Sequence, residues 1–344
     1  MRRMIFGIIS YLICQPALAL PPDGMVYALK SSVVKIRVIL PNGHYGVGSG
    51  VVVAKDQVVT NCHVIANAQA INVIKFGESH RAESIKADWQ HDLCIVRFNG
   101  LDTAIAKLGS SKQLQYEQSV FTISFPNNSP KPLAAYGFVK ALYPMDDSFI
   151  IRTTNDFRLG ASGGPMFSDN GELVGIITLK SPGRNAFYYN TPVEWVQSLL
   201  NQPELAIPAK GGLPFWDAPE EKRPFFMRVI QPYQTEDWAA LKKISTEWML
   251  QEPQAHEALF YLGVAEYNLK ETKAAQSHFS QVYAHNPRHS NALLYIGLIA
   301  AESGNKDEAI KTASLLDTLD KDAANQLNIR LGVTTNQDCQ TAKC

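Results

Sequence analysis

The sequence has 344 residues, 46% of them hydrophobic, and its 32 lysines and arginines are balanced by 32 aspartates and glutamates. This length accommodates two domains of ordinary size, and the hydrophobic content is sufficient for a buried core in each. The balanced charge lacks the basic excess that is typical of nucleic-acid-binding proteins, so we expect no nucleic acid partner.

The N-terminus has the pattern of a secretory signal peptide, predicted over residues 1–19. Two arginines are followed by an apolar stretch at 5–14 and by the small-residue motif ALA at 17–19, after which cleavage is expected. The apolar stretch is shorter than the ~20 residues that a bilayer span needs, and no later segment qualifies. A lipoprotein signal ending at Cys14 is the alternative. We expect an exported mature chain without a membrane span, most simply a periplasmic one.

A histidine and a carboxylate each lie at the end of a strand-like apolar run. The run VVTN at 58–61 leads through a cysteine to His63, and Asp92 opens the run LCIV at 93–96. Histidine is the commonest general base in enzymes, and a carboxylate can orient it. His91 is an alternative to Asp92, but neighbouring side chains on a strand face opposite ways. We predict that Asp92 is the one that faces the site.

A serine stands in a glycine-rich turn at 160–165 (GASGGP), before the apolar run LVGIIT at 173–178. A serine hydroxyl becomes an effective nucleophile only when a base takes its proton and a third group orients that base. Such a stretch alone is more often a plain turn. In combination with His63 and Asp92 upstream, it predicts a catalytic nucleophile at Ser162.

These three segments, in the order histidine, aspartate, serine, resemble the chymotrypsin-type serine proteases, and within them the bacterial trypsin-like peptidases related to the HtrA (Deg) proteases. The resemblance spans residues 26–200. In it, 46–53 (GVGSGVVV) corresponds to the hairpin before the histidine, and 189–196 (YNTPVEWV) corresponds to the final strand and the closing helix. The resemblance implies an all-β chymotrypsin-like fold of two six-stranded antiparallel barrels, with the active site between them.

The resemblance also implies a role for each site residue. Ser162 would attack the scissile carbonyl, His63 would take and return the proton, and Asp92 would hold His63 in the correct tautomer. The backbone N–H groups of Gly160 and Ser162 would form the oxyanion hole. Thr178 lies where the family has a small hydroxyl residue beside the catalytic carboxylate, which implies a hydrogen bond from Thr178 to Asp92.

Two positions near the serine differ from the animal digestive enzymes. Ala161 stands where their zymogens use an aspartate to bury a cleaved N-terminal amine, so activation by N-terminal cleavage is not expected. Asp156 lies six residues before Ser162, where trypsin-like enzymes keep a carboxylate for lysine or arginine side chains, although the HtrA branch does not use this loop in that way. Both interpretations stay open. The predicted substrate-binding residues are Asp156, Thr178, Leu179 and Lys180, with Leu179 and Lys180 as walls of the same pocket.

Removal of the signal peptide leaves four cysteines, Cys62, Cys94, Cys339 and Cys344. In an oxidising compartment a folded triad would bring Cys62 and Cys94 close enough for a disulfide, with free buried thiols as the alternative. A metal site built from these two cysteines with His63 and His91 would disrupt the triad, and we expect no metal and no other cofactor. The remaining pair could close a small loop in the tail.

A change of character after residue 200 marks the end of the protease-like part. Residues 201–232 are rich in proline and glycine, as linkers are. The segment also contains four large aromatic residues, Phe215, Trp216, Phe225 and Phe226. A solvated tether would lack such side chains, so we expect this linker to pack against a domain.

Residues 233–332 have helical periodicity and an internal repeat of 34 residues. Gly263 and Ala275 recur as Gly297 and Ala309, and this spacing resembles tetratricopeptide repeats, in which two antiparallel helices approach through small residues. We predict two full repeats, a half-repeat before them, a capping helix and a tail at 333–344. A generic helical bundle is the alternative.

Together these patterns predict a secreted serine endopeptidase that acts on protein or peptide substrates. Tetratricopeptide repeats carry no chemistry, and their concave face binds peptides or proteins, so the repeats would recruit a substrate or a partner protein. The alternative from another functional class is a catalytically inactive, protease-like scaffold that binds proteins through its repeats.

Overall fold

The computed structural model of the chain describes residues 21–183, 186–208 and 211–333. The predicted signal peptide at 1–19 and the tail beyond residue 333, with Cys339 and Cys344, lie outside the described residues. Within the described ranges no helix has the length and apolar character needed to span a bilayer.

The first β region is an open sheet of eight antiparallel strands. Its strands are β1 (Val33–Ile39), β2 (Tyr45–Ala54), β3 (Gln57–Asn61), β4 (Ala70–Lys75), β5 (Glu78–Arg81), β6 (Ser84–Asp88), β7 (Leu93–Arg97) and β14 (Leu205–Ala206). They follow the order β14-β6-β7-β3-β2-β1-β4-β5. Two short helices belong to this region, α1 (Asp23–Leu29) and α2 (Cys62–Ile65).

The second β region is a closed six-stranded barrel. Its strands are β8 (Ser119–Ser124), β9 (Leu133–Met145), β10 (Ser148–Thr153), β11 (Pro165–Ser168), β12 (Leu173–Lys180) and β13 (Tyr188–Pro192), and helix α3 (Val193–Leu200) follows. The barrel closes in the order β10-β13-β12-β11-β8-β9. From Gly137 onward β9 alternates buried and less buried residues, as a strand with one face on a core does.

The predicted fold of two β regions is therefore confirmed, with the second a closed six-stranded barrel and the first a half-barrel whose sheet has eight strands and stays open. The first region stays open because β14, which comes from the segment after α3, pairs with β6, with Leu205 opposite Ile85. This pairing occupies the edge of β6 that would otherwise be free to close the sheet.

The segment between the β regions and the repeats packs against the second barrel, as its aromatic residues predicted. It contains two short helices, α4 (Phe225–Arg228) and α5 (Ile230–Gln234). Phe215, Phe225 and Phe226 are buried, and the Phe226 ring stacks on Tyr143 of β9 with 4.7 Å between ring centroids. The segment is therefore part of the core of the molecule, and it carries short regular elements that its composition did not predict.

Six further helices complete the chain, α6 (Trp238–Gln251), α7 (His256–Asn268), α8 (Thr272–His285), α9 (Ser290–Glu302), α10 (Lys306–Leu319) and α11 (Lys321–Arg330). The pairs α7/α8 and α9/α10 form the two predicted repeats. A Cβ at Gly263 would lie 2.9 Å from the Phe279 ring, and one at Gly297 would lie 2.3 Å from Leu327. The small residues that revealed the repeat are therefore required for helix contact.

The repeats dock on the second barrel through buried polar contacts. The Arg152 guanidinium of β10 donates to Tyr261 Oη of α7 at 2.9 Å. At the other end of the interface, Lys140 Nζ of β9 contacts Asp320 at 2.6 Å and Glu117 at 2.8 Å. Buried charges are tolerated only with such partners. The barrel and the repeats thus pack against each other, and part of the α7 surface contacts the barrel.

His91, the alternative to Asp92 in the sequence, joins the two β regions instead of entering the site. Its ring stacks on Trp195 of α3, with centroids 3.8 Å apart. Nδ1 contacts Asp88 at 2.6 Å, and Nε2 contacts Asp146, beyond the end of β9, at 2.7 Å. Burial acts to lower the pKa of His91, but the hydrogen bonds and charges of Asp88 and Asp146 outweigh it and raise the pKa above its ordinary value.

A histidine whose pKa is raised on folding stabilises the fold fully below its unfolded pKa of about 6.5, and this contribution is lost as the pH rises through the folded pKa. We expect His91→Gln to lower the free energy of unfolding by up to about 1 kcal/mol at pH 5.5 and by less at pH 8.5. Urea denaturation at both pH values measures this, with the exposed His44→Gln as control. An equal loss at the two pH values would contradict the prediction.

Candidate active site

The structure brings His63 and Asp92 together at the adjacent ends of two paired strands. His63 lies in α2 just after β3, Asp92 lies just before β7, and Asn61 pairs with Leu93 between these strands. The His63 Nδ1 atom is 2.6 Å from Asp92 Oδ2, and the His63 backbone N–H donates to Asp92 Oδ1 at 2.8 Å. Asp92 is 1% exposed, whereas the His63 side chain is 32% exposed. The carboxylate is thus fixed in the interior, while the imidazole reaches solvent.

The turn that carries Ser162 depends on glycine at two positions. Gly160 and Gly163 have φ values of +90° and +85°, which residues with a Cβ rarely adopt. A Cβ at Gly160 would also lie 2.8 Å from the Phe125 carbonyl oxygen. Ser49 of β2 ties the turn to the first sheet, because its N–H donates to the Ser162 carbonyl at 2.8 Å and its hydroxyl donates to the Gly160 carbonyl at 2.9 Å.

This turn packs directly against the segment that carries His63. A Cβ at Gly163 would be 2.2 Å from Thr60 Oγ1 of β3, and a Cβ at Gly48 would be 2.4 Å from Val64 and 3.3 Å from the Ser162 carbonyl oxygen. The glycines of GVGSG therefore allow the close approach of β2, α2 and the serine turn. Within the described part of the chain the Ser162 hydroxyl has no hydrogen bond, and catalytic hydrogen bonds often tighten only when substrate binds.

The two backbone amides that the sequence assigned to an oxyanion hole are available. In this turn the N–H groups of Ala161 and Gly164 donate to carbonyls of the turn itself, and the Gly163 N–H donates to the Ile177 carbonyl of β12. The N–H groups of Gly160 and Ser162 have no acceptor among the described residues. Two unused amides beside a serine hydroxyl are what the stabilisation of a negatively charged oxygen requires.

Thr178 does not make the hydrogen bond to the Asp92 carboxylate that the resemblance implied. Its hydroxyl proton goes to the Ile176 carbonyl at 2.9 Å, and its oxygen accepts from Asn61 Nδ2 at 3.2 Å. The same Asn61 amide donates to the Asp92 backbone carbonyl at 3.0 Å. The carboxylate instead receives a hydrogen bond from Trp216, whose Nε1 is 3.1 Å from Asp92 Oδ2. Thr178 is buried, and it supports Asp92 through Asn61.

Asp156 and Lys180, two of the residues that were predicted to contact substrate, both contact Tyr188 of β13. Asp156 is exposed and accepts a hydrogen bond from the Tyr188 hydroxyl at 2.8 Å. Burial, followed by this bond and the charge of Asp156, raises the pKa of Tyr188 to about 12. Lys180 Nζ lies over the Tyr188 ring, 5.3 Å from its centroid. The two charged residues therefore share one aromatic neighbour.

Two open clefts meet at Trp216. One, of about 440 Å³, is lined by His63, Asp92 and Trp216. The other, of about 520 Å³, runs between Leu179 and Lys180 on one side and Trp216, Met227 and Ile230 on the other. A substrate chain lying along the end of β12 would therefore contact the segment that follows the barrel. The sequence predicted only a packing role for Trp216. Its position in the site was not predicted, because no local motif marks it.

The predicted disulfide between Cys62 and Cys94 is present, with the two Cα atoms 4.9 Å apart. It leaves neither sulfur available as a metal ligand. Among the described residues no cluster of histidine, cysteine or acidic side chains is arranged to hold a metal ion. The disulfide joins the residue before His63 to the residue two positions after Asp92, so it reinforces the contact between them.

Models of two known families match separate parts of the chain. Residues 48–176 match the trypsin-like peptidase domain, and residues 271–324 match a tetratricopeptide repeat. The chain therefore carries a trypsin-like peptidase domain followed by tetratricopeptide repeats. A solved structure, the active form of the Rv3671c protease from M. tuberculosis, aligns with 58% of this chain and 90% of its own, with 21% identity and a TM-score of 0.49.

Curated relatives match slightly less than half of the chain. A protein of Pseudomonas fluorescens named probable periplasmic serine endoprotease DegP-like is 31% identical over 164 residues, which cover 45% of this chain and 34% of the relative. A protein of the same name from Marinomonas sp. is 32% identical over 164 residues, which cover 45% and 35%. The chain spans about a third of the length of these relatives.

Removal of the disulfide should destabilise the fold. Closing a loop of 32 residues restricts the unfolded chain by about 3–4 kcal/mol in the chain-entropy model. We expect the double variant Cys62→Ser, Cys94→Ser to lose a free energy of unfolding of this size in guanidinium denaturation. The matched control is Cys339→Ser, Cys344→Ser, with little expected effect. Equal stability of the first variant and the unaltered protein would contradict the prediction.

Proposed function

We propose that the protein is an exported serine endopeptidase that hydrolyses protein or peptide substrates with Ser162 as nucleophile, His63 as general base and Asp92 as the group that orients it. The observation that carries this proposal is the 2.6 Å contact between His63 Nδ1 and Asp92 Oδ2, made by a buried carboxylate and an imidazole that reaches solvent. The serine turn packs against the same strand end, with two unused amides beside the hydroxyl.

In the proposed reaction, His63 Nε2 removes the proton from Ser162 Oγ as this oxygen attacks the carbonyl carbon of the scissile bond. This step requires the two atoms to come within about 3.2 Å. The developing oxyanion would be held by the N–H groups of Gly160 and Ser162, and His63 would then protonate the leaving amine. Asp92 stabilises the imidazolium between these two steps. Water repeats the sequence on the acyl-enzyme and releases the second product.

Substrate would lie along the end of β12, where Leu179 and Lys180 border the cleft that Trp216 closes on the opposite side. Asp156 would lie in the wall of the pocket for the side chain before the scissile bond. Because Asp156 accepts a hydrogen bond from Tyr188, and Lys180 lies over the same ring, its negative charge is partly compensated. These contacts favour a pocket that does not select basic side chains.

Export to the periplasm is part of the proposal. The Cys62–Cys94 disulfide fits an oxidising compartment, and both relatives described above carry the word periplasmic in their names. The repeats would bind a substrate or partner protein. Since α7 contributes to the contact with the barrel, the binding surface would lie on the part of the repeats that this contact leaves free.

An inactive scaffold is the second candidate, and one observation favours it. Within the described residues the Ser162 hydroxyl has no hydrogen bond to His63. In a scaffold, Ser162 and His63 would lack this hydrogen bond in every state. In an enzyme, the hydrogen bond would form when a substrate or an inhibitor occupies the site.

A fluorophosphonate probe separates the two candidates, because it reacts only with an activated serine. We expect covalent labelling of the purified protein and its complete loss in Ser162→Ala. Ser277→Ala, in α8, is the matched control and should label as the unaltered protein does. The absence of labelling under all conditions, including addition of candidate partner proteins, would favour the scaffold.

Cleavage of a peptide library tests the proposed pocket. We expect the residue before the scissile bond to be other than lysine or arginine in the preferred sites, because Asp156 already accepts a hydrogen bond from Tyr188 and the cationic Lys180 lies over the same ring. Mass spectrometry of the products gives the preference directly. A marked preference for basic residues that disappears in Asp156→Asn would contradict this expectation.

A further inference from the structure

Asp92 receives a hydrogen bond from a residue that lies outside both β regions. Trp216 belongs to the segment between α3 and α4, and its Nε1 donates to Asp92 Oδ2 at 3.1 Å. Its indole also meets the His63 ring edge to face, with centroids 5.5 Å apart and an interplanar angle of 87°. One side chain thus contacts both the carboxylate and the imidazole of the proposed triad.

Two contacts hold Trp216 in this position. The neighbouring Phe215 is buried, and its N–H donates to the Gln90 carbonyl at 2.9 Å, two residues before Asp92. Upstream, Gly211 lies against the Trp89 ring so closely that a Cβ would come within 1.9 Å of it. The segment is therefore seated on the loop that carries Asp92, and the indole is not an incidental surface contact.

The carboxylate needs this donor because it is buried. A buried charged group is stable only when its hydrogen-bonding capacity is satisfied. Asp92 Oδ1 accepts from the His63 backbone N–H, and Oδ2 accepts from His63 Nδ1 and from Trp216 Nε1. The family resemblance implied a hydrogen bond from the Thr178 hydroxyl to Asp92. This hydroxyl donates to the Ile176 carbonyl instead.

We propose that Trp216 is a positioning residue of the reaction, which holds the ionised Asp92 carboxylate in line with His63 and covers it from solvent. The active site is then completed by the segment that leads to the repeats, and the two β regions alone lack one of its parts. This inference rests on the proposed peptidase function. Its chemistry is the hydrogen bond of an indole N–H to a carboxylate, which is stronger than a bond between neutral groups.

Trp216→Phe separates the hydrogen bond from the rest of the contact, because it keeps an aromatic ring beside His63 and removes the donor. We expect kcat for a fluorogenic peptide, and the rate of fluorophosphonate labelling, to fall about tenfold, as for the loss of one hydrogen bond to a charged group. The KM should change less than twofold, since the apolar wall of the cleft remains.

The pH profile gives a readout that a purely structural role would not move. Trp216 Nε1 donates to the same Asp92 oxygen that contacts His63 Nδ1, so its removal leaves this oxygen a stronger acceptor for the imidazole. We therefore expect the midpoint of the acid limb of the activity profile to shift to higher pH. The titratable groups that line the cleft around His63 are Asp92 and the exposed Asp217, and the variant retains both.

The matched control is Trp248→Phe. Trp248 Nε1 also donates to a carboxylate, that of Glu252 at 2.7 Å, but within α6 and its C-terminal end. This variant should keep the kcat and the acid-limb midpoint of the unaltered protein. Thermal unfolding of both variants checks that each is folded, and Trp216→Tyr, which also lacks an indole N–H, replaces Trp216→Phe if the latter melts below the assay temperature.

The outcomes distinguish the two proposals. Normal labelling of the unaltered protein, together with an unchanged kcat and acid-limb midpoint in Trp216→Phe, would overturn the role of Trp216 and leave the peptidase function standing. No labelling of the unaltered protein would overturn both. A tenfold loss of kcat with a shifted midpoint, absent from Trp248→Phe, supports the inference.

Discussion

The hydrogen bond between His63 Nδ1 and the buried Asp92 carboxylate is the interaction on which the rest of the site depends. A carboxylate that is 1% exposed is costly unless it is paired, and here the backbone and imidazole of His63 and the indole of Trp216 satisfy it. The pairing of β3 with β7 and the Cys62–Cys94 disulfide keep the two residues adjacent. The bond thus fixes the orientation of the imidazole ring through Nδ1, and the exposed part of the ring remains open to a substrate.

The serine turn packs against the strand end that carries His63 because glycines allow the close approach. Gly163 rests on Thr60, Gly48 rests on Val64, and Ser49 hydrogen-bonds both carbonyls that flank Ala161. In the resulting turn the N–H groups of Gly160 and Ser162 have no acceptor among the described residues, and we propose that they hold the oxyanion. The short motif GVGSG is therefore as important to the site geometry as the motif around the serine.

The sequence allowed prediction of the parts that local patterns encode. The serine turn and the histidine and aspartate at strand ends were marked by short motifs and the family resemblance they carry, and the repeats built on Gly263 and Gly297 by their spacing. The disulfide was one of two alternatives that the sequence left open. The open form of the first sheet was not predictable, because it depends on where the two-residue strand β14 pairs. The role of Trp216 was also hidden, since its partner Asp92 is 124 residues away and is reached only through tertiary packing. Thr178 has the residue type that the family resemblance implied at this position, but its hydrogen-bond partners are Ile176 and Asn61 and not the Asp92 carboxylate.

The segment after the second barrel unites the site with the repeats. Its aromatic residues are buried, Trp216 reaches Asp92, and the repeats dock on the barrel through Arg152 and Lys140. The most direct test of the central claim is a crystal structure of the protein after reaction with the fluorophosphonate. The account predicts phosphorus bonded to Ser162 Oγ, a phosphoryl oxygen about 2.7–3.1 Å from the Gly160 and Ser162 amides, and the His63–Asp92 contact intact. Phosphorus on another residue, or an imidazole beyond hydrogen-bonding reach of both Ser162 and Asp92, would contradict it.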